Sequence, residues 1–396
     1  MKKYFSKLII TVALVYFSCS DDKVELEKRL ESSDNILDRS SSELKTFLGA
    51  GGIQLDLSQL KYDVDIYKIT YKTKYKEQDI TASALVTLPK TTEPVGMLSF
   101  QHGTIAANSQ APTSLALSST ELILYSAMAS PGFISVVPDF IGFGSSKNVM
   151  HPYYVESLTA SAIIDALKAA RELAANNKVS FNGKLFLAGY SQGGYATMAT
   201  HKEIETNGLN GFELVASFPS SGGYDVKAMQ EYFFGLDTYE QPFFLAFVAQ
   251  AYKTSFDWSQ PLTDFFNEPY ASRIPGLFDT SKSGDQINAQ LTTNIKTLVS
   301  ADILANINTS ARYKYIVDAF NENSLVDWTP KVKMFMYHGD ADITVPYQNS
   351  VITYQKLIAN GASNSTVTFT TLPGKTHYTG VVPYIEQFVP KMLELD

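Results

Sequence analysis

The stretch Gly189-Tyr190-Ser191-Gln192-Gly193-Gly194 limits what this chain can fold into more than any other. It follows an apolar run, 184–188, with the composition of a buried strand, and it precedes 195–201, which reads as a helix. A serine flanked by glycines between a strand and a helix sits on a sharp, strained turn that presents its hydroxyl. The glycines fit because neighbouring side chains would collide with the strand and the helix. Ser191 is therefore the candidate nucleophile.

The chain has 396 residues, 45% of them hydrophobic, enough for one large domain with an insertion. A net charge of −8 argues against nucleic acid as a partner. Five histidines and one cysteine, with no C-x-x-C or H-E-x-x-H, leave little material for a metal site or a disulfide framework. No cofactor is implied.

The N-terminus reads as an export signal over 1–18. Lys2, Lys3 and Lys7 form a basic region, and 8–17 form an apolar segment too short for a stable bilayer span. The segment stops at Ser18-Cys19-Ser20-Asp21-Asp22, which resembles the lipobox of bacterial lipoproteins, with Tyr16 where an aliphatic residue is usual. The resemblance implies acylation of Cys19 and a lipid-anchored outer-membrane protein of the cell envelope, facing the periplasm or the surface. The alternative is a plain secretory signal with an incidental cysteine. From 20 to about 42 the sequence is charged and serine-rich, so 19–43 reads as a tether and the folded domain as beginning at 44.

Beyond that point strands and helices alternate. Strands are expected at 62–73 and 80–89 as a leading hairpin, then at 96–101, 132–138, 184–188, 213–218, 332–337 and 366–372. The clearest helix is 157–176, where Leu158, Ala162, Ile163, Ala166, Leu167, Ala170 and Leu173 keep a 3.6-residue period; another is expected at 381–395. Such alternation implies an α/β domain with a mostly parallel sheet covered on both faces.

Three further stretches join the serine turn: His102-Gly103-Thr104, Pro138-Asp139-Phe140-Ile141-Gly142-Phe143-Gly144, and His338-Gly339-Asp340-Ala341-Asp342-Ile343-Thr344-Val345-Pro346. Together they resemble the α/β-hydrolases over 44–396, and Gly-Tyr-Ser-Gln-Gly-Gly with His151-Pro152-Tyr153 resembles the secretory-lipase branch and related bacterial secreted esterases. In that superfamily the triad runs Ser, Asp or Glu, then His, on loops after strands. His377 lies C-terminal to the acid loop and becomes the base that Ser191 needs. Asp340 and Asp342 compete for the acid; the family's H-G-x-x-D-x-x-V-P pattern places it at Asp342. The resemblance also puts the oxyanion-hole N–H groups on Gln192 and Thr104. His338 reads as a turn cap, Asp139 as part of a turn beside the site, and His151 and His201 as surface or packing residues.

The interval of about 223–330 breaks the strand–helix rhythm and is expected to be a helical cap. Residues 232–270 hold 13 aromatics in 39 positions, against 12% overall, so some should line an apolar pocket over Ser191 while others form the cap's own core. The expected activity is a serine carboxylic-ester hydrolase of the esterase or lipase type working through an acyl-enzyme. Its substrate would be a small, lipid-linked or polysaccharide-linked ester. Two alternatives remain open, a serine peptidase of the prolyl-oligopeptidase or aminopeptidase type and a surface-binding lipoprotein on a hydrolase scaffold. Dehalogenase chemistry needs an aspartate where Ser191 stands.

Overall fold

The computed structural model describes residues 28–396. The predicted signal segment 1–18, Cys19 and the first part of the predicted tether lie outside the described residues. Nine strands form one sheet: β1 (Leu30–Arg39), β2 (Val64–Tyr75), β3 (Gln78–Pro89), β4 (Val95–Gln101), β5 (Phe133–Pro138), β6 (Phe181–Tyr190), β7 (Glu213–Ser220), β8 (Lys333–Gly339) and β9 (Val367–Leu372). Their order is β1-β2-β3-β5-β4-β6-β7-β8-β9. The run from β5 to β9 is parallel throughout, and β1, β2 and β3 close one edge antiparallel.

The sheet is covered on both sides because its central strands are apolar on both sides. Along β6, Leu185 and Leu187 pack into one cluster while Phe186 and Ala188 pack into the other, the period-2 alternation of a strand. The first cluster takes Ala166, Leu167, Ala170 and Leu173 of α3 (Glu156–Asn176). The second takes Leu44 and Leu48 of α1 (Ser41–Ala50), Leu122 of α2 (Thr120–Ala127), and Tyr384, Phe388 and Met392 of the C-terminal helix Val381–Leu395.

At the N-terminus the structure corrects the sequence reading. Residues 30–39, expected to be tether, pair with β2 from Leu30 opposite Tyr71 to Arg39 opposite Val64. The amides of Arg29 and Leu30 donate to Glu172 Oε1 at 2.5 and 3.3 Å. Helix α1 then starts at a capping box between Ser40 and Glu43, inside the segment also assigned to tether. The strand LESSDNILDR escaped notice because it is an edge strand lying mostly in solvent. Backbone hydrogen bonds hold it there, and its polar side chains suit an exposed edge.

Between β7 and β8 the chain leaves the sheet and runs mainly through short helices. They include α5 (Val226–Phe234), α6 (Pro242–Ser255), Ala301–Asn306 and Lys314–Glu322. This excursion has an apolar cluster of its own, with Phe233, Tyr239, Phe265, Phe266, Ile295, Leu298, Ile303 and Ile316 buried in it.

Candidate active site

Strand β6 ends at Tyr190 and α4 (Gln192–Asn207) begins two positions later, so Ser191 alone makes the turn. Its φ of 61° and ψ of −124° lie where an L residue is strained, a conformation costing on the order of 1–3 kcal/mol. Backbone hydrogen bonds hold it there: Ser191 N donates to the Ser220 carbonyl at 2.9 Å, and Gly194 N donates to the Ser191 carbonyl at 2.9 Å. Two glycines make the turn sterically possible. A Cβ on Gly193 would overlap the Gln101 carbonyl, and one on Gly189 would overlap the Gly193 carbonyl.

The loops after β8 and β9 bring two further residues to this serine. His377 Nε2 lies 2.8 Å from Ser191 Oγ, and His377 Nδ1 lies 2.6 Å from Asp342 Oδ2. All three are buried. Asp342 can only accept, so the proton between it and the ring sits on Nδ1 and leaves Nε2 free to take one from the serine. Burial pushes the Asp342 carboxyl up, but hydrogen bonds from His338 and His377 outweigh it and hold it at about 2. Its Oδ1 also accepts from the amides of Thr344 and Val345 at 2.9 and 3.0 Å. Of the two competing aspartates, Asp342 is the one in contact with His377. Asp340 is exposed and accepts from Gly374 N at 2.6 Å, tying its loop to the loop that carries His377.

Sequence reasoning missed part of the surroundings. His338 ends β8 as expected, but it also touches the acid, with Nε2 3.1 Å from Asp342 Oδ2 and 3.0 Å from the Val345 carbonyl. Two acceptors around Nε2 place the proton there, and Nδ1 accepts from Ser350 Oγ at 2.6 Å. The four-residue spacing between His338 and Asp342 was the available signal. His151 is a buried packing residue that also holds Gln192. Its Nδ1 donates to the Ile141 carbonyl at 2.6 Å and its Nε2 accepts from Gln192 Nε2 at 2.6 Å. Burial pushes the His151 ring down to about 4, which keeps it neutral at physiological pH. His201 is likewise a packing residue, between Ser217 and Glu205.

Gln192 is the first residue of α4, so its N–H has no partner within the helix and lies at the positive end of the helix dipole. The His102-Gly103-Thr104 loop runs beside it: a Cβ on Gly103 would stand 3.7 Å from that of Ser191. Thr104 Oγ1 meets the Tyr153 hydroxyl at 2.8 Å. Under these loops Asp139, fully buried, accepts from Ser83 Oγ at 2.5 Å and from Thr113 N at 2.8 Å. Burial pushes its carboxyl up to about 6 against those hydrogen bonds.

Ser191 opens on a cavity whose lining is almost wholly apolar, the character of a small-molecule site. Tyr153, Tyr154, Gly223, Thr344 and Val345 form its wall on the sheet side. Side chains of the β7–β8 excursion form the rest, among them Phe233, Phe234, Phe244, Trp258, Phe265 and Phe266. Phe243, Phe247 and Phe256 instead pack with the cluster around α4. Among the described residues no group of three or more His, Cys, Asp or Glu side chains could hold a metal ion, and no helix is long and apolar enough to cross a membrane.

Residues 107–205, about a quarter of the chain, match the family described as secretory lipase. No curated protein matches the sequence. Solved structures share the fold at low identity. A protein of Legionella pneumophila described as a hydrolase superposes with a TM-score of 0.82 at 24% identity, covering 93% of this chain and 98% of its own. The rice cell wall degrading esterase LipA from Xanthomonas oryzae, in a ligand-bound form, gives 0.79 at 24% identity over 91% of this chain and 98% of its own. Candida antarctica lipase A in its closed state gives 0.65 at 16% identity over 92% and 82%. The fold is that of the α/β-hydrolases, as the sequence implied.

Proposed function

We propose that this protein is a serine carboxylic-ester hydrolase acting through an acyl-enzyme. The observation that carries the reading is the hydrogen-bonded series Ser191–His377–Asp342, with contacts of 2.8 and 2.6 Å, at the wall of an apolar cavity. Ser191 Oγ attacks the ester carbonyl carbon as its proton passes to His377 Nε2. The carbonyl oxygen becomes an oxyanion held by the N–H groups of Gln192 and Thr104. Collapse of that intermediate breaks the bond to the alcohol, which leaves with the proton from His377. Water then repeats the sequence on the acyl-enzyme and frees the acid. Throughout, Asp342 keeps His377 in the tautomer that faces the serine and stabilises the imidazolium.

The expected N-terminal signal and the partial match to a secretory family support a place in the cell envelope. Cys19 is acylated in this reading and keeps the enzyme in the cell envelope, where lipid-linked, polysaccharide-linked or small esters would reach it. The mature chain should be screened on p-nitrophenyl esters of graded length and on acetylated and feruloylated glycans, beside labelling by a fluorophosphonate probe. Hydrolysis and labelling should both vanish in Ser191→Ala while its circular dichroism stays that of the wild type. Labelling that survives the substitution would place the nucleophile elsewhere.

A further inference from the structure

Gln230 stands out in the wall of the Ser191 cavity. The hydroxyls of the tyrosines that line the same space are all engaged. Tyr153 meets Thr104 Oγ1 at 2.8 Å, Tyr154 accepts from Gly223 N at 3.4 Å, Tyr239 donates to the Thr344 carbonyl at 2.8 Å, and Tyr252 donates to the Tyr154 carbonyl at 2.8 Å. Gln230 is only 7% exposed, lines the cavity, and has an Oε1 with no hydrogen-bond partner among the described residues. It shares a face of α5 with Val226 and Phe233, which line the cavity one turn away on either side, and the adjacent Met229 lines it as well. An amide oxygen buried without a donor is costly, and apolar neighbours cannot relieve it.

We propose that Gln230 is a specificity residue that selects acyl groups carrying a hydroxyl at a distance from the ester carbonyl. A hydroxyl suits the position because it both donates and accepts, so it satisfies the amide in either orientation of its oxygen and nitrogen. A carboxylate would need desolvation in an apolar space, and a ketone could not donate to Oε1. The rest of the acyl group must be apolar, since Met229, Phe233, Phe265 and Ile303 surround the space it would fill. Two kinds of acyl group share this chemistry, a hydroxylated fatty acyl chain and a hydroxycinnamoyl group. As a statement about turnover the inference rests on the ester-hydrolase reading; as a statement about binding it does not.

The test uses matched pairs of methyl esters, hydroxystearate against stearate and coumarate against cinnamate, with the mature enzyme. In one pair the hydroxylated ester should be cleaved with a kcat/KM at least about tenfold above its partner, since a site built to pair a hydroxyl discriminates against the analogue lacking it. The pair that shows the preference identifies the source. Gln230→Leu should bring that ratio close to one and raise the melting temperature, because an unpaired acceptor has left apolar surroundings; Gln230→Met serves if the leucine variant does not fold. A purely structural glutamine would leave the ratio untouched. In parallel, the four free acids are titrated calorimetrically into Ser191→Ala, where the same preference should appear as tighter binding. Ratios near one in both pairs, or a ratio that survives loss of the amide, would overturn the proposal. Selective binding without turnover of any ester would sink the hydrolase reading and leave the role of Gln230 standing.

Discussion

The wall of the cavity that carries Ser191 and the wall that carries Gln230 are held by different forces. On the sheet side every reactive group sits within five residues of a strand end, at Tyr190, Gly339 or Leu372. Parallel pairing of Gly339 with Leu372 sets two of those ends side by side. Backbone bonds continue past the strands: Ser221 N to the Tyr337 carbonyl at 2.9 Å, and Ala341 N to the Lys375 carbonyl at 3.1 Å. Opposite, the wall is side chains on helices of six to fourteen residues that pack on one another and, chiefly through α6, on the cluster around α4. The excursion meets the reactive loops through single contacts such as Tyr239 with the Thr344 carbonyl and Gln241 with the Tyr378 hydroxyl. Positions fixed by a hydrogen-bonded ladder suit chemistry that tolerates little displacement. Positions fixed by apolar packing can change size and shape while the ladder stays put.

That contrast is broken or sharpened by five changes. The largest effect belongs to the sheet side: Asp342→Asn should lower kcat roughly 10⁴-fold, as expected when a triad acid no longer holds the tautomer. Asp340→Asn, which keeps an acceptor for Gly374 N and loses only the charge of an exposed side chain, should stay within about tenfold. The reverse ranking in steady-state kinetics would show that the acid has been misassigned.

Next comes the footing of the same wall. The folded-state value for Asp139, about 6, lies above the ordinary 3.8. The native state therefore holds this proton more tightly than the unfolded chain does. The stability it confers is complete below about pH 4 and is lost as pH rises towards 6, by up to about 3 kcal/mol. Asp139→Asn should flatten that part of the Tm-against-pH curve; an unchanged slope would mean that Asp139 does not titrate there.

On the packed side the effect should be smaller and of another kind. Phe234→Ala enlarges the cavity and should shift the ratio of kcat/KM between long and short acyl esters by about tenfold, with kcat on the best ester little changed. A collapse of kcat on all esters would mean that the two walls are not separable. Smallest of all, Cys19→Ala should leave the specific activity unchanged and move the protein from the membrane pellet to the soluble fraction. A processed variant that stays in the pellet would refute acylation.

The serine turn, the His-Gly loop and the two loops after β8 and β9 were legible because each is a contiguous string tied to a strand end, where local backbone geometry dictates residue type. Choosing between Asp340 and Asp342 from residues alone was not possible, since both sit on one loop and only the fold decides which carboxylate faces His377. The contact of His151 with Gln192 joins residues 41 positions apart and left no local trace. Among the aromatics of 232–270, Phe234 and Phe265 face the cavity while Phe243 and Phe247 pack around α4. On short helices packed together, the facing side depends on neighbours far along the chain. Strand β1 was missed because its burial pattern is that of a polar loop.

The direction of β1 has a consequence for where the enzyme works. It runs antiparallel to β2, β2 to β3, and β3 to β5, while β5 belongs to the parallel run with β6. Leu30 therefore lies at the end of the sheet where β6 delivers Ser191, and so does Arg29, whose carbonyl accepts from Lys72 N. Cys19 is ten residues before Arg29, a leash of roughly 35 Å at full stretch. With an acyl anchor at its far end, so short a leash would turn the rim of the cavity towards the lipid and keep its back to the aqueous side. The enzyme would graze on what the bilayer surface presents within one molecular diameter of its own mooring.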